Sequence, residues 1–199
     1  MNHGMWFQVQ EFIRNRNWRQ LRSHLLPLLD HYSTAYDYVQ HTFDYPIYWI
    51  GFGNHIELAS LLLCAGLPVD TLDTDGYTMF HGASRRGHLQ LAEMLLDHSA
   101  DVNVRDDNGE TPLMKAAHYN QPEMVKMLLE HSADVNVRNG IGDTPLMKAA
   151  VFNQLEVVKM LVQGGADLTV RNSKGLTALG IASESGASET EAYLKRLLH

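Results

Sequence analysis

Residues 111–117 have the sequence Thr-Pro-Leu-Met-Lys-Ala-Ala, and the same seven residues recur at 144–150. They belong to a longer match, because residues 106–138 and 139–171 align without a gap and are identical at 19 of 33 positions. A second string, His-Ser-Ala-Asp-Val-Asn-Val-Arg, stands at 98–105 and again at 131–138, which is the same interval. Self-similarity at a fixed period in this range indicates a stack of repeated structural units.

Each repeat predicts a turn followed by two antiparallel helices. Asn108-Gly109 supplies the turn, the hydroxyl of Thr111 can cap the first helix, and Pro112 suits its first position because no N–H is needed there. Pro122 begins a second helix with a broad apolar face. One helix pair would leave that face in water, so stacked neighbours must cover it. We expect equivalent helix starts at four threonines that are spaced by one repeat period: Thr78, Thr111, Thr144 and Thr177.

The order of turn, Thr-Pro-Leu, Ala-Ala, Leu-Leu and Ala-Asp-Val-Asn, recurring at this period, closely resembles the ankyrin repeat. The resemblance covers residues 40–199 and implies an all-α ankyrin-repeat solenoid of stacked helix-turn-helix units with hairpin loops. It also implies a concave surface that binds other proteins. We predict helical caps at both ends and an ankyrin-repeat domain divided into five units: 40–72, 73–105, 106–138, 139–171 and 172–199.

Residues 1–39 are predicted to form an N-terminal helical cap, a degenerate repeat, because residues 17–26 follow the outline of residues 87–96. The arginines of this segment would form the solvated face that a terminal cap needs. One alternative is an amphipathic organelle-targeting segment or a membrane-surface helix. At the other end of the chain, Ser188 and Glu191 predict a capping box for the last helix.

Composition limits the kinds of ligand and the cellular compartment that we expect for this chain. The net charge of −7 argues against nucleic acid as the main ligand, because phosphate binding needs a concentrated basic surface. The single cysteine, Cys64, excludes an internal disulfide and fits a reducing compartment, which favours the cytoplasm. No run of apolar residues is long enough to cross a bilayer, so no membrane span is predicted. We expect a monomer.

The sequence contains no recognisable constellation of reactive side chains. The histidines follow the repeat, since His98 and His131 occupy one repeat position, and no His-Glu-x-x-His motif occurs. Gly51-Phe52-Gly53 lacks the third glycine of a phosphate-binding loop. We therefore predict no catalytic residues, no metal and no cofactor. An enzyme with an unrecognised site is the remaining alternative in this class.

The positions that vary between repeats are the candidates for binding. The family resemblance implies contact positions at the hairpin tips and at the two residues after the Ala-Ala pair. The predicted partner-binding residues are Tyr77, Arg85, Arg86, Glu110, His118, Tyr119, Ile141, Asp143, Val151, Phe152 and Leu176.

Three of these residues, Arg86, Tyr119 and Phe152, share one repeat position and should form a row across inner helices about 10 Å apart. An alternative is that Tyr119 and Phe152 only shield the inner helices from water. Ile141 and Leu176 at the loop tips have no predicted core to enter, so each is a candidate apolar anchor. A further ladder of Arg105, Arg138 and Arg171 predicts exposed ion pairs with nearby aspartates.

These patterns predict a non-enzymatic protein–protein interaction module, acting as an adaptor, scaffold or inhibitor through its concave face and hairpin tips. One alternative is a secreted bacterial or viral effector that captures a host protein in the host cytosol. Another is a substrate of asparagine hydroxylation at Asn103 and Asn136, whose surroundings resemble the sites reported in the ankyrin family. That string is also nearly the repeat consensus itself.

Overall fold

The computed structural model describes Glu11, Gln20 and residues 46–64, 66–73 and 75–198. Within them the chain is helical and contains no β-strand. The helices are α1 (Pro46–Phe52), α2 (Ile56–Cys64), α3 (Met79–Arg86), α4 (Leu89–Asp97), α5 (Pro112–His118), α6 (Pro122–Glu130), α7 (Pro145–Val151), α8 (Leu155–Gln163), α9 (Ala178–Glu184) and α10 (Ser188–Leu198). The predicted all-α solenoid is therefore confirmed. No helix of the described residues combines the length and apolarity that a membrane crossing requires.

The odd-numbered helices, which we call inner helices, pack on one another along the array, and each also packs on the outer helix that follows it. Four of them start at the predicted threonines. The hydroxyls of Thr78, Thr111, Thr144 and Thr177 accept hydrogen bonds from the backbone N–H three residues later, with N···O distances of 3.2–3.4 Å. An N-terminal hydroxyl satisfies one of the donors that a helix start leaves unpaired. Because the threonines occupy equivalent places, the repeat register predicted from the sequence is confirmed.

The turn between an inner and an outer helix reverses the chain with one left-handed residue. Asn120 adopts a φ of 55° there, and the residues one repeat away on each side, Gly87 and Asn153, have φ values of 72° and 55°. Glycine and asparagine tolerate this conformation better than other residues do. A short polar turn is therefore enough to join each helix pair.

The core runs continuously through the stack. Ala116 and Ala117 of α5 are fully buried, and their small side chains let neighbouring inner helices approach closely. The outer helices contribute larger groups to the same core, and Met124, Val125 and Leu128 of α6 are also fully buried. Each unit thus covers the apolar face that its neighbour would otherwise expose to water.

The contact between α1 and α3 depends on two glycines. A Cβ atom on Gly51 would lie 1.9 Å from the carbonyl oxygen of Met79, and one on Gly82 would lie 2.3 Å from the carbonyl oxygen of Tyr48. Real Cβ atoms do not approach backbone this closely. The first two inner helices of the described array therefore pack backbone against backbone.

Two predictions about the chain ends have different outcomes. The N-terminal cap at residues 1–39 lies outside the described residues except for Glu11 and Gln20, so it stays a prediction. The predicted capping box of Ser188 and Glu191 is wrong, because α10 begins one residue earlier than that motif requires. Ser188 is the first residue of α10, and the Glu191 N–H donates to the Ala187 carbonyl at 2.8 Å. The reason is the repeat register, since α6, α8 and α10 begin at equivalent positions of successive repeats.

Candidate functional site

The hairpin tips are held by one side-chain oxygen per repeat. Asp106 Oδ1 accepts hydrogen bonds from the N–H groups of Asn108 and Glu110, at 2.9 and 2.8 Å. Asn139 Oδ1 does the same for Ile141 and Asp143 in the next unit. Aspartate and asparagine are interchangeable in this role because each offers the required acceptor at the same distance from the backbone. The tips are consequently ordered before any partner arrives.

A partly buried network of charges lies behind these tips and joins two repeats. Lys115 Nζ lies 2.9 Å from Asp106 Oδ2 and 2.5 Å from Glu110 Oε2. Lys148 Nζ, from the following repeat, lies 2.6 Å from the other Glu110 oxygen and 3.7 Å from Asp143 Oδ2. The five side chains are between 0% and 18% exposed. Glu110 and Asp143, both predicted to bind a partner, are therefore already engaged within the protein.

The network has consequences for protonation. Burial alone would raise the pKa of Glu110, but the hydrogen bonds and charges of Lys115 and Lys148 lower it to about 2. Glu110 therefore stabilises the fold above the usual carboxyl pKa, and that contribution is lost as the pH falls toward 2.

His81 occupies the same buried region as a neutral imidazole. The Thr78 N–H donates to His81 Nδ1 at 3.2 Å, so the Nε2–H group is left to donate to the Glu110 carbonyl at 3.0 Å. Burial lowers the pKa of His81 to about 4. Since the unfolded imidazole titrates near 6.5, the contribution of His81 to stability is complete above that pH and declines as the pH falls toward 4.

One repeat lacks the lysine that this network needs. Asp73 stands one repeat before Asp106, but the position of Lys115 is occupied there by Gly82, where the backbone of α1 leaves no room for a side chain. Asp73 Oδ1 accepts from the N–H groups of Asp75 and Tyr77, whereas its second oxygen has no hydrogen-bond partner among the described residues. Burial raises the pKa of Asp73 to about 6.

We expect the substitution Asp73→Asn to stabilise the protein by about 2 kcal/mol at pH 7. The amide keeps the acceptor oxygen, as Asn139 shows, and removes a buried charge. Asp73 favours the fold when protonated, so its contribution is present below about pH 4 and lost as the pH rises through 6. Urea unfolding at pH 7 and pH 4.5 should therefore show a gain that shrinks at the lower pH. An equal gain at both values would contradict this account.

A second feature, at the opposite end of the inner helices, is a staggered series of ring and guanidinium contacts. The Arg86 guanidinium carbon lies 4.8 Å from the ring centre of Phe52, and that of Arg85 lies 4.2 Å from the ring centre of Tyr119. The rings of His118 and Phe152 meet edge to face with centroids 4.8 Å apart. We call these residues, with Val151, the inner-helix strip.

The strip differs from the simple row that the sequence predicts. Phe52, Arg85 and His118 share one repeat position, and each contacts the following repeat at the next position, as His118 does with Phe152. The contacts therefore cross from unit to unit along a diagonal. Adjacent repeats are joined by side chains at neighbouring repeat positions, whereas the sequence predicts a row of side chains at one shared position.

The strip keeps apolar surface in contact with water. Tyr119 is 38% exposed, Val151 37% and Phe152 53%. Ile141, at the hairpin tip before α7, is 55% exposed. Arg86 is also exposed, and Arg85 and His118 are half-buried. This exposure is compatible with a binding role, and the alternative that Tyr119 and Phe152 only shield the inner helices stays an alternative, because a shielding side chain also faces water.

Other predicted site residues turn inward. Leu176 packs against the hydrophobic core, so the expectation that it has no core to enter is wrong. The Tyr77 ring is half-buried between Tyr48, 5.1 Å away between centroids, and the Lys115 ammonium, 4.7 Å from its centre. Both side chains pack within the array.

The predicted ion pairs of the arginine ladder are also wrong. Arg105 Nη2 donates to the Arg138 carbonyl at 2.6 Å, and Arg138 Nη2 donates to the Arg171 carbonyl at 3.0 Å. Each guanidinium therefore joins one repeat to the backbone of the next. The nearby acids Asp106 and Asp143 pair with lysines instead.

The candidate hydroxylation residues have a structural role as well. Asn103 Oδ1 and Asn136 Oδ1 each accept the backbone N–H of the following repeat's loop at 2.8 Å, from Asp134 and Asp167 respectively. Asn103 is half-buried and Asn136 is exposed. These bonds explain the repetition of asparagine without any modification, and hydroxylation stays a prediction.

The sequence analysis missed the buried lysines. Lys115 and Lys148 belong to the repeated heptapeptide, and a lysine recurring beside two alanines that face the core was the available signal of a repeated buried ion pair. The described residues contain no cluster of three or more His, Cys, Asp or Glu side chains that could hold a metal ion.

Comparison with known proteins agrees with this architecture. The family model for ankyrin repeats in three copies matches residues 47–139 and 136–198, which together span most of the chain. No curated protein matches the chain. Repeats of this family are generally protein–protein interaction modules. Because the match extends over more than half of the sequence and the helices repeat in the predicted register, the chain belongs to the ankyrin-repeat family.

Proposed function

We propose that the protein is a non-enzymatic module that binds another protein through the inner-helix strip and the hairpin tip at Ile141. The observation that supports this most directly is the exposure of Tyr119, Val151 and Phe152 at the ends of two adjacent inner helices. Contiguous apolar surface in water is unfavourable by roughly 25 cal/mol per Å², and it commonly marks an interaction site. Aromatic and arginine side chains are also the types enriched at binding hot spots.

The strip is organised in advance of binding. Tyr119 is held by Arg85 on one side and by the His118 ring, 4.5 Å away between centroids, on the other. Phe152 rests against His118 of the preceding repeat. Side chains that are already ordered lose little conformational entropy when a partner covers them. The same contacts that join the repeats therefore prepare the rings for binding.

Ile141 extends the surface toward the hairpins. It precedes α7, whereas Val151 and Phe152 lie at the other end of that helix, so about 10 Å of helix separates the two exposed apolar sites. The charged network around Lys148 and Glu110 lies beside this helix. A partner that contacts both sites would cross one whole inner helix. Adaptor, scaffold and inhibitor roles all use such a contact.

We expect the double substitution Tyr119→Ala and Phe152→Ala to reduce partner capture at least tenfold. Loss of two hot-spot aromatics removes more than about 1.4 kcal/mol of binding free energy. The measurement is affinity capture from a cell extract, with captured proteins quantified by mass spectrometry. Thermal unfolding should confirm that the variant is folded at the assay temperature, since the lost ring contacts contribute only about 1 kcal/mol each.

The matched control is Leu197→Ala with Leu198→Ala. Both leucines are 45% exposed and lie at the end of the outer helix α10, away from the inner-helix strip. This variant loses a comparable apolar surface and should capture the same proteins as the original chain. Equal capture by the strip variant and the control variant would contradict the proposed function.

A further inference from the structure

The inner-helix strip carries a positive charge at one end. Arg85 and Arg86 are the last two residues of α3. No carboxylate of the described residues lies within salt-bridge distance of either guanidinium, because the ion pairs among these residues are all formed by lysines. Of these two unneutralised cations, Arg85 lies directly beside the exposed ring of Tyr119, and Arg86 stacks on Phe52.

The flat faces of the two guanidinium groups stack on aromatic rings, which leaves N–H groups at their edges available to donate hydrogen bonds. Arg86 is exposed and stacks on Phe52, and Arg85 is fixed between Tyr119 and a hydrogen bond of 3.0 Å from Nη1 to the Tyr48 hydroxyl. A guanidinium that stacks through its face can still donate two parallel hydrogen bonds to a carboxylate from its edge. Arg86 is exposed, and its guanidinium donates no hydrogen bond to any of the described residues.

Charge along the strip then changes in one direction. His118 follows the arginines, and because burial and Lys148 lower its pKa, its imidazole is neutral at pH 7. Val151 and Phe152 come next, and in the last unit the equivalent of Val151 is Glu184, which is exposed. The order from α3 to α9 is cationic, apolar, anionic. An acidic group on a partner is attracted to the α3 end and repelled from the α9 end.

We infer that the preferred partner segment is an acidic peptide with a large apolar side chain, bound with its carboxylate on Arg86 and the apolar group on Tyr119 and Phe152. This inference rests on the proposed function and specifies the chemistry of the partner. The carboxylate and the apolar group must be separated by one or two inner-helix spacings, about 10–20 Å. An extended peptide covers that distance in roughly three to six residues.

The test uses a library of random dodecapeptides displayed on phage and selected against the full-length chain at low salt. Selected peptides should be enriched in Asp or Glu three to six residues from Trp, Phe, Leu or Ile. A synthetic copy of a selected peptide should bind about tenfold more weakly to Arg86→Ala, and weaken similarly when salt is raised from 50 to 500 mM. Selection against Arg86→Glu should lose the acidic preference.

Arg196→Ala is the matched control, because this exposed arginine lies on the outer helix α10 and donates to its own helix at Ala192. It should leave peptide affinity unchanged. Peptides that lack acidic residues but lose binding with Tyr119→Ala and Phe152→Ala would overturn the inference and leave the proposed function standing. Enrichment in basic residues, or a selection that yields no peptide, would also overturn the inference.

Discussion

Replacing Lys115 with alanine is expected to lower the free energy of unfolding by about 3–5 kcal/mol at pH 7. The substitution leaves the Asp106 carboxylate, whose side chain has no exposed surface, without its cation and removes one of the two lysines that bind Glu110. A buried charge that loses its partner is far more costly than an exposed one. Urea unfolding monitored by circular dichroism measures the change.

Lys126→Ala provides the comparison. Lys126 and Glu130 form an exposed pair on α6 with an N···O distance of 3.9 Å and side chains that are 68% and 64% exposed. Such pairs contribute at most about 0.5 kcal/mol, so this variant should unfold nearly as the original chain does. Adding Asp106→Asn to Lys115→Ala should recover part of the loss, because Asn139 shows that an amide can hold the same turn. A loss below about 1 kcal/mol in the single variant would mean that the network is effectively solvated.

The second large effect is expected at the junction of α1 and α3. Gly51→Ala should destabilise the protein by about 3 kcal/mol or more, because the new methyl group would stand 1.9 Å from the Met79 carbonyl oxygen. The obstacle is backbone, so relief requires the two helices to move apart and uncover fully buried Ile47 and Phe80. The midpoint of thermal unfolding should fall accordingly.

Gly180→Ala separates this effect from the general consequence of replacing a helical glycine. Gly180 lies inside α9, and the nearest atom to its added Cβ would be a Leu176 side-chain carbon at an ordinary 3.4 Å. With no clash, alanine should stabilise that helix by up to about 1 kcal/mol. Destabilisation of similar size in both variants would show that close packing is not the reason for Gly51.

The charged network and the inner-helix strip lie on different surfaces of the same helices. The charged network lies by the hairpin tips and is mostly buried, whereas the inner-helix strip lies at the helix ends and remains partly open to water. Variants of Lys115 or Gly51 should therefore act on folding. Substitutions of Phe152 or Arg86 should act on partner binding, with smaller effects on unfolding.

Much of the architecture follows from short-range interactions whose sequence signals recur in each repeat. The threonine caps, the helix starts and the polar turns depend on residues close to one another in the chain, and each recurs at the same place in successive repeats. A single ambiguous helix pair becomes unambiguous when its neighbours carry the same signals. The family, the helical class and the helix starts of the regular repeats could therefore be predicted from the sequence.

Only part of the candidate site could be predicted from the sequence. The sequence identified Tyr119, Val151, Phe152 and Ile141 as variable residues at exposed positions, and the structure leaves all four in contact with water. It also nominated Leu176 and Tyr77, which occupy equally variable positions but turn inward. Variability marks where a repeat is free to differ, and it does not say which way a side chain turns.

The amino-acid sequence by itself determined the period, the helix pairs and the order of the units, because these arise from hydrogen bonds and apolar spacing within one repeat. Only the tertiary structure decided which side chains meet between repeats: Arg85 with Tyr119, His118 with Phe152, and Lys148 with Glu110. Those contacts depend on the offset between stacked helices and on the reach of long side chains. Gly82 occupies the position of Lys115 and lets α1 pack closely against α3. Asp73 therefore has no lysine partner, whereas Asp106, the equivalent residue of the next repeat, pairs with Lys115.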